Sequence, residues 1–593
     1  MFYPNFNFSE ISKNSVEGLN IYHNLLDQLL QKSDVYKHHY ALLDPSKIIH
    51  TFTKVFANLY QQPDSLIELQ KQYVEKSLEL INYSLERAQG GSPTPLYKQQ
   101  HKDKRFSDKS WSNNAYFDFI KQFYLMHREL VERVINLDKT VDIKTRKQAL
   151  FFINQFLDAI SPSNFIYTNP VVLYETMSTN GENIVQGLSN LSKDVEHSKN
   201  LFDISRNSRY TFKIGKNIAS TPGEVVYKND LMELICYTPT QKSNHEIPLL
   251  IVPPWINKYY ILDLSPKNSL IKYLVDKGIT VFILSWVNPT AKHHDTLFED
   301  YLSKGALAAI DVIQNQFKIN KLNILGYCIG GALVSILLSY LARHKKEAVI
   351  NTATMLATLL DYREGGDLSL FIDEEQLEHF KENVLPQGYY DSTVMSMAFS
   401  LLRANDMIWS FAVNNYLLGK KPLPFDILYW NADSTRLPSK MHNYYLENMY
   451  LKNNLIKADK LTICGTPIDL GAIKTPCYFI STCEDHIVPW KGTYNALQYF
   501  KCPVEFILAG SGHVAGIINP PKKHKYGYWK NKDVSTNANT WFKNAKEHDG
   551  SWWEEWLVYL QKNSGKQIQV THIKNISKKL SLEKAPGTYI HRH

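Results

Sequence analysis

The stretch Lys321-Leu322-Asn323-Ile324-Leu325-Gly326-Tyr327-Cys328-Ile329-Gly330-Gly331-Ala332-Leu333-Val334 decides the reading of this chain. A short apolar run ends at Leu325, a glycine-flanked cysteine follows, and an apolar helical pattern opens at Gly331. Strand, sharp turn and helix in this order form the context of a nucleophile elbow, here with Cys in the place of Ser. The turn is so tight that side chains two residues to either side would collide, so Gly326 and Gly330 leave room. The thiol then projects at the top of a sheet, and the helix N-terminus behind it favours negative charge on sulfur.

A nucleophile needs a base, and the base needs an orienting acid; in this architecture both follow the nucleophile in the chain, acid first. After the predicted strand Tyr478–Ser481 comes Cys483-Glu484-Asp485-His486, and after Val504–Leu508 comes Ala509-Gly510-Ser511-Gly512-His513. Asp485 and His513 are therefore the candidate acid and base. Glu484 and His486 are rivals, but neighbouring residues point in different directions, so one of each pair reaches the site. Gly510 and Gly512 give His513 an open turn, whereas His486 reads as a structural histidine near Trp490.

Attack on an acyl group also needs two donors for the oxyanion. The Ile329 N–H is one candidate. The other comes from the loop after Pro248–Val252, which reads Pro253-Pro254-Trp255-Ile256-Asn257-Lys258. Proline has no N–H, which leaves Trp255, Ile256, the Asn257 side chain, or Val252 just before. A thiol exchanging with a thioester is nearly thermoneutral, so Cys328 points to acyl transfer more than to hydrolysis.

Outward from this core, Thr280–Ser285 and Ala348–Met355 also read as buried strands, with helical patterns at Asp300–Gln316 and Gly331–Ala342 between strands. Alternation of this kind predicts a mainly parallel α/β sheet covered on both faces. The rhythm breaks over 361–475, which is long, aromatic and irregular. It is read as a cap inserted over the sheet's C-terminal edge, where ligands bind. Residues 1–207 read as a helical N-terminal domain, with apolar residues at three- and four-residue spacing over Ser65–Leu85 and Thr145–Ile160. The catalytic domain then spans 208–593.

Composition narrows the class. A chain of 593 residues accommodates more than one domain, and its 44% hydrophobic content argues against extensive disorder. The net charge of +8 comes without a dense basic block, which argues against nucleic acid. Met1-Phe2-Tyr3-Pro4-Asn5 shows no secretory leader, and no apolar run approaches the ~20 residues of a membrane span. Six scattered cysteines form neither a disulfide framework nor metal-ligand pairs, and no metal is expected. A reducing cytosol fits, with the cysteines other than Cys328 as small buried apolar residues.

Several further stretches complete a pattern. Pro253-Pro254-Trp255-Ile256-Asn257-Lys258-Tyr259-Tyr260-Ile261-Leu262-Asp263-Leu264, the Cys328 box, and Asn414-Asn415-Tyr416 with Pro424-Phe425-Asp426 occur in this order. Asp485-His486-Ile487-Val488-Pro489-Trp490 and Gly512-His513-Val514-Ala515-Gly516 with Asn519-Pro520-Pro521 follow. Upstream lie Phe165 and Thr168-Asn169-Pro170; at the C-terminal end come Trp552-Trp553-Glu554-Glu555-Trp556 and Ala585-Pro586-Gly587-Thr588-Tyr589. With these motifs the chain resembles the polyhydroxyalkanoate synthases of the single-subunit class I type, over nearly its whole length after Lys104.

The resemblance implies an α/β-hydrolase core with a cap, preceded by a helical domain. It implies (R)-3-hydroxyacyl-CoA as substrate, with CoA released and no separate cofactor, and Cys328, Asp485 and His513 as the triad. It also implies a growing polyester chain, cytoplasmic granules whose surface the protein meets, and a homodimer. Trp255 departs from the family, where a smaller residue, often Cys, is expected. Competing readings are a thioesterase or polyester depolymerase on the same fold, and a non-catalytic granule coat protein.

Overall fold

The computed structural model describes residues 7–36, 45–59, 63–99, 103–137, 140–197, 204, 206 and 211–592. The opening hexapeptide and the expected junction at 207/208 lie outside the described residues.

The sheet is built from strands β1 (Glu224–Lys228), β2 (Met232–Tyr237), β3 (Leu249–Val252), β4 (Val281–Trp286), β5 (Leu322–Tyr327) and β6 (Ile350–Leu356). It continues with β7 (Cys477–Thr482), β8 (Val504–Ala509), β9 (Tyr528–Lys530), β10 (Lys546–His548) and β11 (Glu583–Lys584). Their order across the sheet is β10-β9-β8-β7-β6-β5-β3-β4-β2-β1-β11. From β4 to β8 the pairings are parallel; β2, β1 and β11 on one side and β9 and β10 on the other are antiparallel additions. Largely apolar runs such as Val281–Trp286 and Leu322–Tyr327 are buried at every position, as parallel strands covered on both faces require. The chain leaves β3 for β4 on one side and returns to β5 on the other. This order reversal opens a crevice at the C-terminal ends of β3 and β5.

Helix Ile329–Arg343 after β5 is apolar on all sides and almost wholly buried. Helix Trp552–Lys562 packs on the cluster that includes Leu325, Tyr327 and Leu356, with Trp552, Trp553 and Trp556 at most 1% exposed. The aromatic C-terminal stretch is thus interior rather than surface.

The chain divides into two units: Met1–Ser208 together with Thr393–Leu423, and Arg209–Ser392 together with Pro424–His593. The first is helical, and the predicted helices there appear as Pro63–Ala88 and Ile143–Ala159. Buried Asp118 ties Pro63–Ala88 to Ala115–Leu137 through Tyr83 Oη at 2.6 Å, with Lys121 at 2.9 Å.

The segment expected as a cap over 361–475 is divided between the units. Its middle, Thr393–Leu423, packs with the N-terminal helices because of backbone contacts. Asn183 Nδ2 donates to Leu417 O at 2.7 Å, Asn190 Nδ2 to Asn415 O at 3.0 Å, and Gln155 Nε2 to Leu401 O at 3.0 Å. Gly187 lets helix Glu182–His197 approach so closely that a Cβ there would strike the Tyr416 carbonyl. Among the described residues, no helix is long and apolar enough to cross a membrane.

Candidate functional site

Cys328 sits between β5 and its helix at φ +55°, in the left-handed region that a side chain disfavours. Surrounding packing holds the turn. The Cys328 N–H donates to Leu356 O at 2.9 Å. A Cβ on Gly326 would strike the Gly331 backbone, and one on Gly330 the Val252 carbonyl. The glycines therefore have the task that the sequence predicts, and the second admits the end of β3. Cys328 is half-buried against the main core. Ile329 is the first residue of the helix, so its N–H is one of the first-turn donors without an intrahelical acceptor.

Asp485 and His513 stand in the turns after β7 and β8. Asp485 Oδ1 accepts from the N–H groups of Ile487 and Val488 at 3.0 and 2.8 Å. Its Oδ2 accepts from Thr482 Oγ1 at 3.1 Å and lies 2.6 Å from His513 Nδ1. An ionised carboxylate only accepts, so Nδ1 donates to it and Nε2 is left to take a proton. Burial works to lower the imidazole pKa. The Asp485 charge, the Cys328 sulfur and hydrogen bonds to both outweigh it, holding His513 well above the usual range.

Among the rivals, Glu484 is exposed while Asp485 is 7% exposed. The His486 carbonyl accepts from the Asp367 N–H at 3.1 Å. The rings against Trp490 are those of Tyr494, Phe506, Trp541 and Phe542.

The part of the insertion in this unit brings Tyr362, Tyr445 and Tyr450 near the thiol. Burial raises all three phenol pKa values, and the negative charge that Cys328 can carry raises them further. Tyr362 Oη donates to Tyr445 Oη at 3.2 Å. Sequence reading passed over these tyrosines because nothing local distinguishes them in an aromatic-rich segment.

Trp255 is 2% exposed, with its ring among Trp286, Phe298 and Tyr301, nearest Tyr301 at 4.3 Å between centroids. Its carbonyl accepts from Thr435 Oγ1 at 2.7 Å. The Asn257 amide is turned to the insertion, donating to Trp430 O at 3.3 Å. Lys258 is buried, paired with Asp433 at 2.6 Å, and donates to Ile590 O at 2.7 Å. The loop after β3 is thus pinned to the insertion and to the chain's C-terminal end.

Two further supports escaped sequence reading. The Tyr327 ring stacks on His513 at 5.6 Å, and its hydroxyl donates to His513 O at 3.1 Å. Trp552 Nε1 donates to Gly516 O and Trp553 Nε1 to Ile517 O, at 2.9 and 2.8 Å, anchoring the chain just after His513. The indole pattern at 552–556 was the available signal. Among the described residues no cluster of three or more His, Cys, Asp or Glu side chains has the makings of a metal site.

The elbow after β5, the acid after β7 and the histidine after β8 define an α/β-hydrolase fold, and residues 247–520 match the family described as alpha/beta hydrolase fold. Residues 102–274 match the family described as Poly-beta-hydroxybutyrate polymerase (PhaC) N-terminus. The chain is 38% identical over 554 residues to the poly(3-hydroxyalkanoate) polymerase subunit PhaC of Rhizobium etli, covering 92% of this chain and 87% of that one. It is 40% identical over 545 residues to the poly(3-hydroxyalkanoate) polymerase of Methylorubrum extorquens, covering 92% and 90%. It is 36% identical over 534 residues to the corresponding subunit of Cupriavidus necator, covering 89% and 88%. The chain belongs to the poly(3-hydroxyalkanoate) polymerase, or polyhydroxyalkanoate synthase, family.

Proposed function

We propose that this protein polymerises (R)-3-hydroxyacyl-CoA into polyester through an acyl group carried on Cys328. The observation that carries the reading is the strained cysteine turn in contact with an imidazole whose other nitrogen is held by a buried carboxylate.

His513 takes the Cys328 proton, and the sulfur attacks the thioester carbonyl. The tetrahedral oxyanion receives the Ile329 N–H and a backbone N–H at the end of β3 or in its loop, from Val252, Trp255 or Ile256. The carbon–sulfur bond to CoA breaks, and CoA leaves as a thiol with a proton from His513. His513 then takes the proton of a 3-hydroxyl group, whose oxygen attacks an acyl carbonyl on sulfur; the carbon–sulfur bond to Cys328 breaks, and the sulfur leaves with the proton that His513 returns. One ester bond forms for each CoA released. The chemistry uses a CoA thioester as substrate and calls on no separate cofactor.

Tyr362, Tyr445 and Tyr450 are buried close enough to Cys328 for its charge to act on their phenols, which supports a short acyl group such as 3-hydroxybutyryl. The reading includes a homodimer and association with the surface of cytoplasmic polyester granules. Helix Pro63–Ala88 supports an apolar partner by exposing Ile67, Val74, Leu78, Ile81 and Leu85 at spacings of three, four and seven.

The deciding assay is incubation with 3-hydroxybutyryl-CoA, following CoA and polymer together. Parallel appearance of both, lost in Cys328→Ala, is the expected result. CoA release with free hydroxy acid and no polymer would assign a hydrolase instead. An Ala variant that still made polymer would end the acyl-cysteine reading.

A further inference from the structure

Sequence reading left the remaining cysteines as buried apolar residues. Cys236 and Cys477 are buried, but Cys464, Cys483 and Cys502 are half-exposed, and all six cysteines are free thiols. Cys477 and Cys502 form a pair. Cys477 opens β7, Cys502 lies in the loop entering β8, and their sulfurs are 3.8 Å apart. The Cys477 N–H donates to Pro503 O at 2.9 Å, so the backbone holds the two segments together. The Cys477 thiol also donates to Thr475 O at 3.2 Å, which fixes its direction. Both lie at the ends of β7 and β8 opposite to those that lead into Asp485 and His513.

We propose that Cys477 and Cys502 are a reversible thiol-modification site, oxidised by hydroperoxides to a disulfide that staples the entry of β8 to the start of β7. The two sulfurs have different roles. Cys502 is the one that solvent reaches, and contact with Cys477 holds its thiol below the usual range, whereas burial pushes the Cys477 thiol well up. A low-pKa, accessible sulfur beside a second thiol is the arrangement that peroxide chemistry selects.

The Cys502 thiolate attacks the peroxide. A sulfur–oxygen bond forms, the oxygen–oxygen bond breaks, and hydroxide or the corresponding alkoxide leaves to be protonated. Cys477 then attacks the Cys502 sulfenic acid, the sulfur–sulfur bond forms, and water leaves with the Cys477 proton. With hydrogen peroxide, two thiols and one oxidant become one disulfide and two waters. A dithiol reductant reverses the change. The link closes a loop that contains Asp485, restricting the unfolded chain, while the groups at Cys328 are untouched.

The test is peptide mapping of the whole protein after hydrogen peroxide treatment and alkylation of remaining thiols. Tryptic peptides 475–491 and 502–522 should be joined through Cys477, with Cys483 of the first peptide alkylated. The joined species should vanish with dithiothreitol. The thermal midpoint should rise by several degrees on oxidation and return on reduction. In Cys477→Ser, Cys502 should yield a dimedone adduct and no link. In Cys502→Ser, Cys477 should stay a thiol while CoA release from 3-hydroxybutyryl-CoA is unchanged. Recovery of both cysteines as free thiols under conditions that oxidise Cys328 would overturn the proposal. So would the same thermal shift in a Cys477→Ser/Cys502→Ser double variant.

Discussion

His513 Nδ1 lies 2.6 Å from Asp485 Oδ2, and that oxygen also accepts from Thr482 while its twin takes two backbone N–H groups. The carboxylate is held from four directions, so the imidazole is oriented by a rigid acceptor rather than by a mobile side chain.

The imidazolium form of His513 is favoured in the folded protein, since its pKa is raised well above 6.5. A raised folded pKa contributes stability that is fully present below the unfolded value and is lost as pH rises through the folded one. Asp485→Asn removes the main source of the rise. The stability gap between parent and variant in urea should be larger at pH 6 than at high pH. Equal gaps at both would show that the Asp485 charge does not hold the proton.

Asp485→Asn should also separate two steps of the proposed reaction. A thiol is acidic enough for His513 to deprotonate with modest help, whereas an alkyl hydroxyl leans harder on the histidine–carboxylate pair. Intact-protein mass spectrometry after rapid mixing should show Cys328 acylated at an appreciable rate, with short adducts accumulating and chain growth nearly stopped. If initial acylation and elongation fall by the same factor, Asp485 has no separate part in elongation.

His513→Gln keeps size and some hydrogen bonding but takes no proton. Single-turnover acylation of Cys328 should slow by roughly 10²–10⁴-fold, the usual contribution of a positioned acid–base group. Unchanged acylation would remove His513 from the proposal and bring His486 forward.

His442, in the insertion, sits among Phe380, Tyr390 and Tyr445, and burial pushes its pKa down to about 3. The folded protein keeps it neutral while the unfolded chain binds a proton below 6.5. Its share of stability is therefore lost as pH falls from 6.5 towards 3, by up to about 1.4 kcal/mol per pH unit. Chemical denaturation of His442→Phe between pH 7 and 5 should fall less steeply than that of the parent. Parallel curves would mean that His442 is already charged in the fold.

The sequence by itself determined the candidate chemistry-bearing positions and the core they stand on. Gly326, Cys328 and Gly330 are legible because a strand-to-helix turn needs small residues at fixed offsets. The six parallel strands are legible because burial on both faces demands largely apolar runs, such as Val281–Trp286. The strands β1 and β2 and the short additions β9, β10 and β11 are not legible in the sequence, since their identity depends on the partner they pair with. The sequence names Asp485 ahead of Glu484, but the physical difference between these neighbours lies in three dimensions, where the turn buries one and exposes the other. The tertiary structure alone assigned Thr393–Leu423 to the N-terminal helices, where Gly187 admits the Tyr416 backbone. It alone brought Trp552 and Trp553 under the His513 loop, and Cys477 beside Cys502. Such contacts join residues far apart in the chain, and periodicity carries no information about distances across a fold.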